Sequence, residues 1–386
     1  MQTRKLYYEN CETREFFATV LGCEETKGGY AVTLDATAFY PEGGGQPYDT
    51  GLLGGGKVLS VQERGEEIIH LCDRPLEVGS RVQGAIDWDR RFDLMQQHTG
   101  EHILSGVIHE KYGAHNVGFH MGADAITIDF DVMIPTEDLE ELENRANRAV
   151  FENLPVICEY PDKEALKNIP YRSKKALDYP VRIVSVAGYD CCACCGTHTK
   201  TTGQVGIIKI LSCVKFHQGV RMEILCGGRA LGLFQKAWEQ NRQVSGAFSA
   251  KPLEIGAAAM RMNEALAQEK FRATGLQKKL LELTAEKYAG KGDAAHFAED
   301  LEPAQVRELA DRIARVCGGV AAVFCGSSFC LVSHSKDVKE LGQKLTAAFS
   351  GRGGGRDGVF QGSLQADRKE IMDFIVNAQF TMHNAP

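Results

Sequence analysis

The chain has 386 residues, 44% of them hydrophobic and 25% charged, with thirteen cysteines and a formal net charge of −7. That length accommodates two or three domains, each with its own core, and the acidic balance excludes a global positive field, so a nucleic-acid site would have to be a local basic patch. No apolar run follows Met1–Lys5 and none long enough to span a bilayer occurs later, so the sequence predicts no secretory signal, no membrane helix and a cytoplasmic protein whose thiols stay reduced.

In chain order, residues 1–90 read as a small β-barrel. Segments 15–22, 29–35, 57–64, 67–72 and 78–87 alternate or run apolar between glycine-rich turns. From 91 to about 112, Phe92, Leu94, Met95, Ile103, Leu104, Val107 and Ile108 fall at helical intervals. A strand over 125–130, a helix from 135 to 152, and strands over 155–160, 181–186, 206–214 and 221–226 complete an α/β core over 91–226. Residues 227–294 read as a helical arm, broken near 245–252, with Met262, Leu266, Leu276, Leu280 and Leu283 on one seam. Residues 295–386 form a separate α/β domain. It has helices over 303–316, 336–349 and 366–378, strands over 320–325 and 329–333, and a glycine loop over 351–355. The fold class is therefore α+β in four parts.

Chemistry concentrates in two short motifs. His98 and His102 stand four apart on the predicted helix, which puts both imidazoles on one face. Cys194 and His198 stand four apart in a segment that Gly196 lets turn sharply. A lone His-x-x-x-His helix is most often a solvated or satisfied pair. A Cys-x-x-x-His partner in the same domain turns the four into a zinc-type donor set by softness and by number. A third motif, Thr37 to Gln46, sets Gly43, Gly44 and Gly45 beside the polar Gln46. It offers bare backbone N–H groups to a ligand, and an ordinary hairpin loop explains it equally well.

His98-x-x-x-His102, Cys194-x-x-x-His198 and Phe39-Tyr40-Pro41-x-Gly-Gly-Gly-Gln46, in this order, resemble the editing domain of alanyl-tRNA synthetase. They are more similar still to the free-standing alanyl-tRNA editing proteins of the AlaX family, as are Ile86–Arg91 and Val117–His120. The segment from Gly351 to Asp357 resembles the DHHA1 domain found at the end of alanyl-tRNA synthetases, so the chain looks like a long-form AlaX protein. Nothing resembles the class II aminoacylation core, which implies editing without charging. The resemblance implies a zinc-dependent hydrolase acting on alanine tRNA that carries serine or glycine. His98, His102, Cys194 and His198 match the family's ligand positions. Thr37 matches a position associated with serine discrimination. Gly43–Gln46 lie near the substrate end, with His120 a further contact. Zinc and tRNA(Ala) are the implied cofactor and partner, and a homodimer through the C-terminal domain is the implied assembly.

Two other readings compete. His98-Thr99-Gly100-Glu101-His102 also satisfies His-x-x-Glu-His, the inverted zinc-peptidase signature with Glu101 as general base and Glu143 a candidate third ligand. A non-catalytic RNA-binding protein is the third class. Cys191, Cys192 and Cys195 form overlapping Cys-x-x-Cys pairs that read as bystander thiols, with redox regulation the alternative. Arg352 and Arg356, with Arg368, suit RNA backbone contacts, and Arg172 to Lys175 is a further candidate. Solvated arginines in a turn are the plain alternative for both.

Overall fold

The computed structural model describes residues 2–173, 178–356, 358–377 and 383–384. The chain divides into two compact units, Met1–Gln243 and Val244–Pro386. Lys174 and Lys175, Asp357 and Ala378 lie outside the described residues. No helix among the described residues is long and apolar enough to cross a membrane.

The first unit opens with a six-stranded closed barrel, in the order Glu15–Thr26, Gly29–Leu34, Glu67–Cys72, Gly56–Arg64, Gly51–Leu53 and Arg81–Ile86. The alternation of the long strands turns Phe16, Val32, Leu34, Val61 and Ile68 inward, and Phe39 fills the same core. Closure depends on Gly51–Leu53, which pairs with Gly56–Arg64 on one side and Arg81–Ile86 on the other. A three-residue strand carries no readable alternation, so local pattern does not announce it. The first strand also runs on to Thr26, past a bulge between Val20 and Gly22 where the reading ended it.

A helix then spans Trp88–Tyr112 and begins three residues before the predicted start, because Asp87 caps it by accepting from the Arg90 N–H. Its buried apolar face packs Leu94, Ile103, Leu104 and Val107 against a four-stranded sheet and the helix Leu139–Glu152. That sheet runs Ile208–Phe216, Gly219–Cys226, Ile126–Phe130, Asn116–Met121. The last strand was not predicted, since Gly118 interrupts its apolar pattern. A three-stranded antiparallel sheet of Val156–Glu159, Ile183–Val186 and Asp190–Ala193 completes the core.

The helix Gly227–Phe248 follows, and the break in the helical region lies just after it. The second unit takes in the helix Ile255–Glu286, whose Leu281 and Ala285 enter a core with Tyr288, Leu309 and Ile313. Its six-stranded sheet runs Arg352–Arg356, Val359–Ser363, Ser328–Val332, Gly318–Cys325, Gly292–Ala298, His383–Asn384. The helix Pro303–Cys317 connects the parallel neighbours Gly292–Ala298 and Gly318–Cys325. One expectation fails here. The glycine run is not a loop: Arg352–Arg356 is an antiparallel edge strand in register with Val359–Ser363. Backbone pairing with a neighbour, which local composition does not report, decides its conformation.

Candidate metal centre

The sequence alone put His98 and His102 on one helix face, and the fold brings the other pair to them. The strand Asp190–Ala193 delivers the chain to a loop carrying Cys194 and His198. Cys194 Sγ lies 3.4 Å from both His98 Nε2 and His198 Nε2. The donor atoms of His98, His102, Cys194 and His198 all fall within 4.8 Å of one another, a group able to hold a metal ion. Gly196 is required here by space: a Cβ on it would stand 2.0 Å from the His98 ring.

Each imidazole is oriented through its other nitrogen. His98 Nδ1 donates to Gln46 Oε1 at 2.9 Å, and the Thr197 N–H, 3.0 Å from that oxygen, confirms it as the acceptor end of the amide. His102 Nδ1 donates to Asp190 Oδ2 at 3.0 Å, and His198 Nδ1 shares a 3.2 Å hydrogen bond with Thr99 Oγ1. For His98 and His102 these bonds fix the tautomer that leaves Nε2 bare toward the cluster, the usual support for a metal-bound histidine. Burial opposes ionisation of Cys194, yet the positive charge that the His98 and His102 rings carry when protonated outweighs it and holds the thiol well below its usual range. The Gly196 N–H adds a 3.3 Å hydrogen bond to the sulfur. Arg182 secures the loop by donating to the Cys194 and Gly196 carbonyls, both at 2.9 Å.

His98, His102 and Cys194 line a cavity of about 640 Å³, together with Gly44, Glu101, Asn116, Phe119 and Arg182. Glu101 is buried beside the ligands, with Oε2 4.0 Å from His102 Nε2, while its Oε1 accepts from Ser105 Oγ and Asn116 Nδ2, both at 2.6 Å. Glu143 stands apart from this group, held by Lys209 and the Ile210 N–H, so the peptidase reading lacks its proposed third ligand. Gly43 to Gln46 form a tight turn in which Gly44 (φ 60°) and Gly45 (φ 85°) take left-handed backbone that a side chain would strain. Of these four residues only Gly44 lines the cavity. Gln46 is buried and committed to His98 and Thr197, which makes it a positioning residue rather than a substrate contact. His120 is exposed and does not line the cavity.

Thr37 is also outside the cavity lining. It is fully buried and hydrogen-bonded to His70 Nε2 at 2.8 Å. His70 Nδ1 donates to the Val32 carbonyl at 3.1 Å, so Nε2 accepts from the Thr37 hydroxyl, and the neutral ring is satisfied at both nitrogens. Burial lowers the His70 pKa from 6.5 to about 4. As pH falls below 6.5 the unfolded chain takes up this proton before the folded one does. Stability attributable to His70 is therefore lost between pH 6.5 and about 4, on the order of 3 kcal/mol. Urea unfolding across that range is expected to show this slope and His70→Gln to flatten it; superimposable curves would contradict the assignment. Thr37→Val orphans His70 Nε2 and is expected to cost about 1–3 kcal/mol.

All thirteen cysteines are free thiols. Cys192 is buried beside His102 and Asp190, while Cys195 is exposed and its carbonyl accepts from Tyr8 Oη at 2.7 Å. Arg172 is paired with Asp190, and Arg368 lies 5.0 Å over the Phe297 ring. Arg352 and Arg356 are exposed on the edge strand. The supporting residues Asp190, Thr99 and Arg182 carried no sequence signal, because their roles come from contacts across up to 99 residues of chain.

Residues 181–222, which span the Cys194–His198 loop, match the family described as threonyl and alanyl tRNA synthetase second additional domain. Residues 3–90, which include the barrel, match the family described as tRNA synthetases class II (A). The chain is 33% identical to an alanine–tRNA ligase of Pyrococcus abyssi, over 97% of its own length but only 43% of the ligase. It is 29% identical to the alanyl-tRNA editing protein AlaX-L of Pyrococcus horikoshii, over 96% of both chains. It is equally similar to Aarsd1-A of Xenopus laevis, an alanyl-tRNA editing protein, over 91% of this chain and 89% of that one. Aligned with two alanyl-tRNA editing proteins over 89% and 96% of their lengths and carrying the synthetase-type second additional domain, the chain is similar to the alanyl-tRNA editing proteins.

Proposed function

We propose that this chain is a trans-editing hydrolase that cleaves the ester between a wrong amino acid, serine or glycine, and alanine tRNA. The observation that carries this reading is the convergence of His98, His102, Cys194 and His198 in one cluster, the first three on the wall of one cavity, in a chain similar to the alanyl-tRNA editing proteins. Three imidazoles, each held through Nδ1, and one thiol held low suit zinc. When bound, zinc supplies Lewis acidity toward an ester carbonyl.

The rest is the work of the chain's own residues. Gln46, Asp190 and Thr99 hold the imidazoles, and Arg182 holds the loop carrying Cys194. Glu101 lines the cavity with Oε2 4.0 Å from His102 Nε2 while Ser105 and Asn116 restrain Oε1, a placement suited to holding the proton of an attacking water. Arg352 and Arg356 are the residues offered to the RNA backbone.

Single-turnover deacylation of seryl-, glycyl- and alanyl-tRNA(Ala) tests the reading. The first two are expected to be hydrolysed and the cognate ester spared by roughly 10²-fold or more. Failure to release any of the three amino acids would overturn it.

A further inference from the structure

Asn116 sits on the cavity wall with only one end of its amide occupied. The residue is 5% exposed, its Nδ2 donates to Glu101 Oε1 at 2.6 Å, and its Oδ1 is buried with no partner. The contact with Glu101 settles which end is which, since a carboxylate oxygen cannot take a hydrogen bond from an amide oxygen. A register shift places Asn116 here: Gly118 pairs with Asp129, but Phe130 pairs with Asn116, leaving Val117 as the extra residue of a bulge. Buried acceptors without partners are rare, and one beside a candidate metal group calls for a ligand.

We infer that Asn116 Oδ1 receives the α-ammonium group of the aminoacyl ester, an inference that rests on the function proposed above. The atom can only accept, so its partner is a donor, and two groups of a seryl ester qualify: the ammonium and the side-chain hydroxyl. Charge favours the ammonium. Glu101 adjoins the same amide and Asp131 lines the same cavity, while the arginines in the wall are engaged, Arg182 with the Cys194 and Gly196 carbonyls and Arg172 with Asp190. An ammonium at this end also suits the task, because every misattached amino acid carries one. Asn116 would then orient the ester without choosing among side chains.

The experiment compares seryl-, alanyl- and 3-hydroxypropanoyl-tRNA(Ala), the last being the serine ester without its amine, in single turnovers with the zinc-loaded protein and its Asn116→Leu variant. The variant is expected to slow the seryl and alanyl esters alike by roughly 10- to 150-fold and to change the 3-hydroxypropanoyl ester less than about 2-fold. Slowing of seryl but not alanyl ester would assign the contact to the hydroxyl and overturn the inference. Equal slowing of all three with zinc retained would overturn it too, showing that Asn116 acts through Glu101. Should the leucine variant lose zinc, Asn116→Ser, too short to reach the ammonium, repeats the comparison with the same outcomes. A wild-type protein inert toward seryl-, glycyl- and alanyl-tRNA(Ala) would instead remove the parent reading.

Discussion

His102→Ala is expected to purify with most of its zinc missing and to deacylate mischarged tRNA at least about 10²-fold more slowly than the wild type. The estimate starts from supporting residues: losing a hydrogen-bond partner of a metal-bound histidine costs 10- to 100-fold in affinity or activity, and losing the histidine itself costs more. Asp190→Asn provides the graded comparison. It keeps the shape but exchanges the carboxylate that accepts from His102 Nδ1 and pairs with Arg172 for a neutral amide, so a loss within roughly 10- to 100-fold is expected. Metal analysis of the purified proteins beside single-turnover rates checks both. Full activity in a zinc-free preparation would sink the mechanism, whatever the variants do.

Arg91→Met is expected to destabilise the first unit by about 3–5 kcal/mol, the range for breaking a buried ion pair from one side. Arg91 and Asp49 are both wholly buried, and the guanidinium donates Nε to both Asp49 oxygens, at 2.9 and 3.0 Å. It also binds the Ala38 carbonyl at 2.6 Å and the Cys11 carbonyl at 3.1 Å. Asp49 accepts in addition from the Tyr40 N–H at 2.6 Å. Without the arginine this carboxylate is left charged in the interior. For a unit of this size the loss corresponds to a fall in Tm of roughly 6–20 °C. The effect extends to the candidate site, because the pair ties the helix carrying His98 and His102 to the segment holding Gln46, and Gln46 orients His98. Calorimetry of Arg91→Met, Asp49→Leu and the double variant separates the explanations. Recovery in the double variant identifies the orphaned charge as the cause; strictly additive losses would identify lost packing instead.

Local pattern reports whatever depends on neighbours a few residues apart. The four-residue spacings put His98 beside His102 and Cys194 beside His198 wherever the helix and loop ended up. The long alternating strands of the barrel and the apolar face of the helix Trp88–Tyr112 were legible for the same reason. The tertiary structure decided everything that depends on partners far along the chain. It brought the two ligand pairs together and supplied Gln46, Asp190 and Thr99 to orient the histidines. It put Gln46 behind His98 rather than on the cavity wall, and gave the Thr37 hydroxyl to His70. Pairing across strands made Gly51–Leu53 the closure of the barrel and turned a glycine run into the edge strand Arg352–Arg356. A single bulge set Asn116 opposite Phe130, on the wall of the cavity. Such contacts are made by whichever groups the packed core leaves adjacent, and a buried polar atom must find its partner there, so no local pattern announces them in advance.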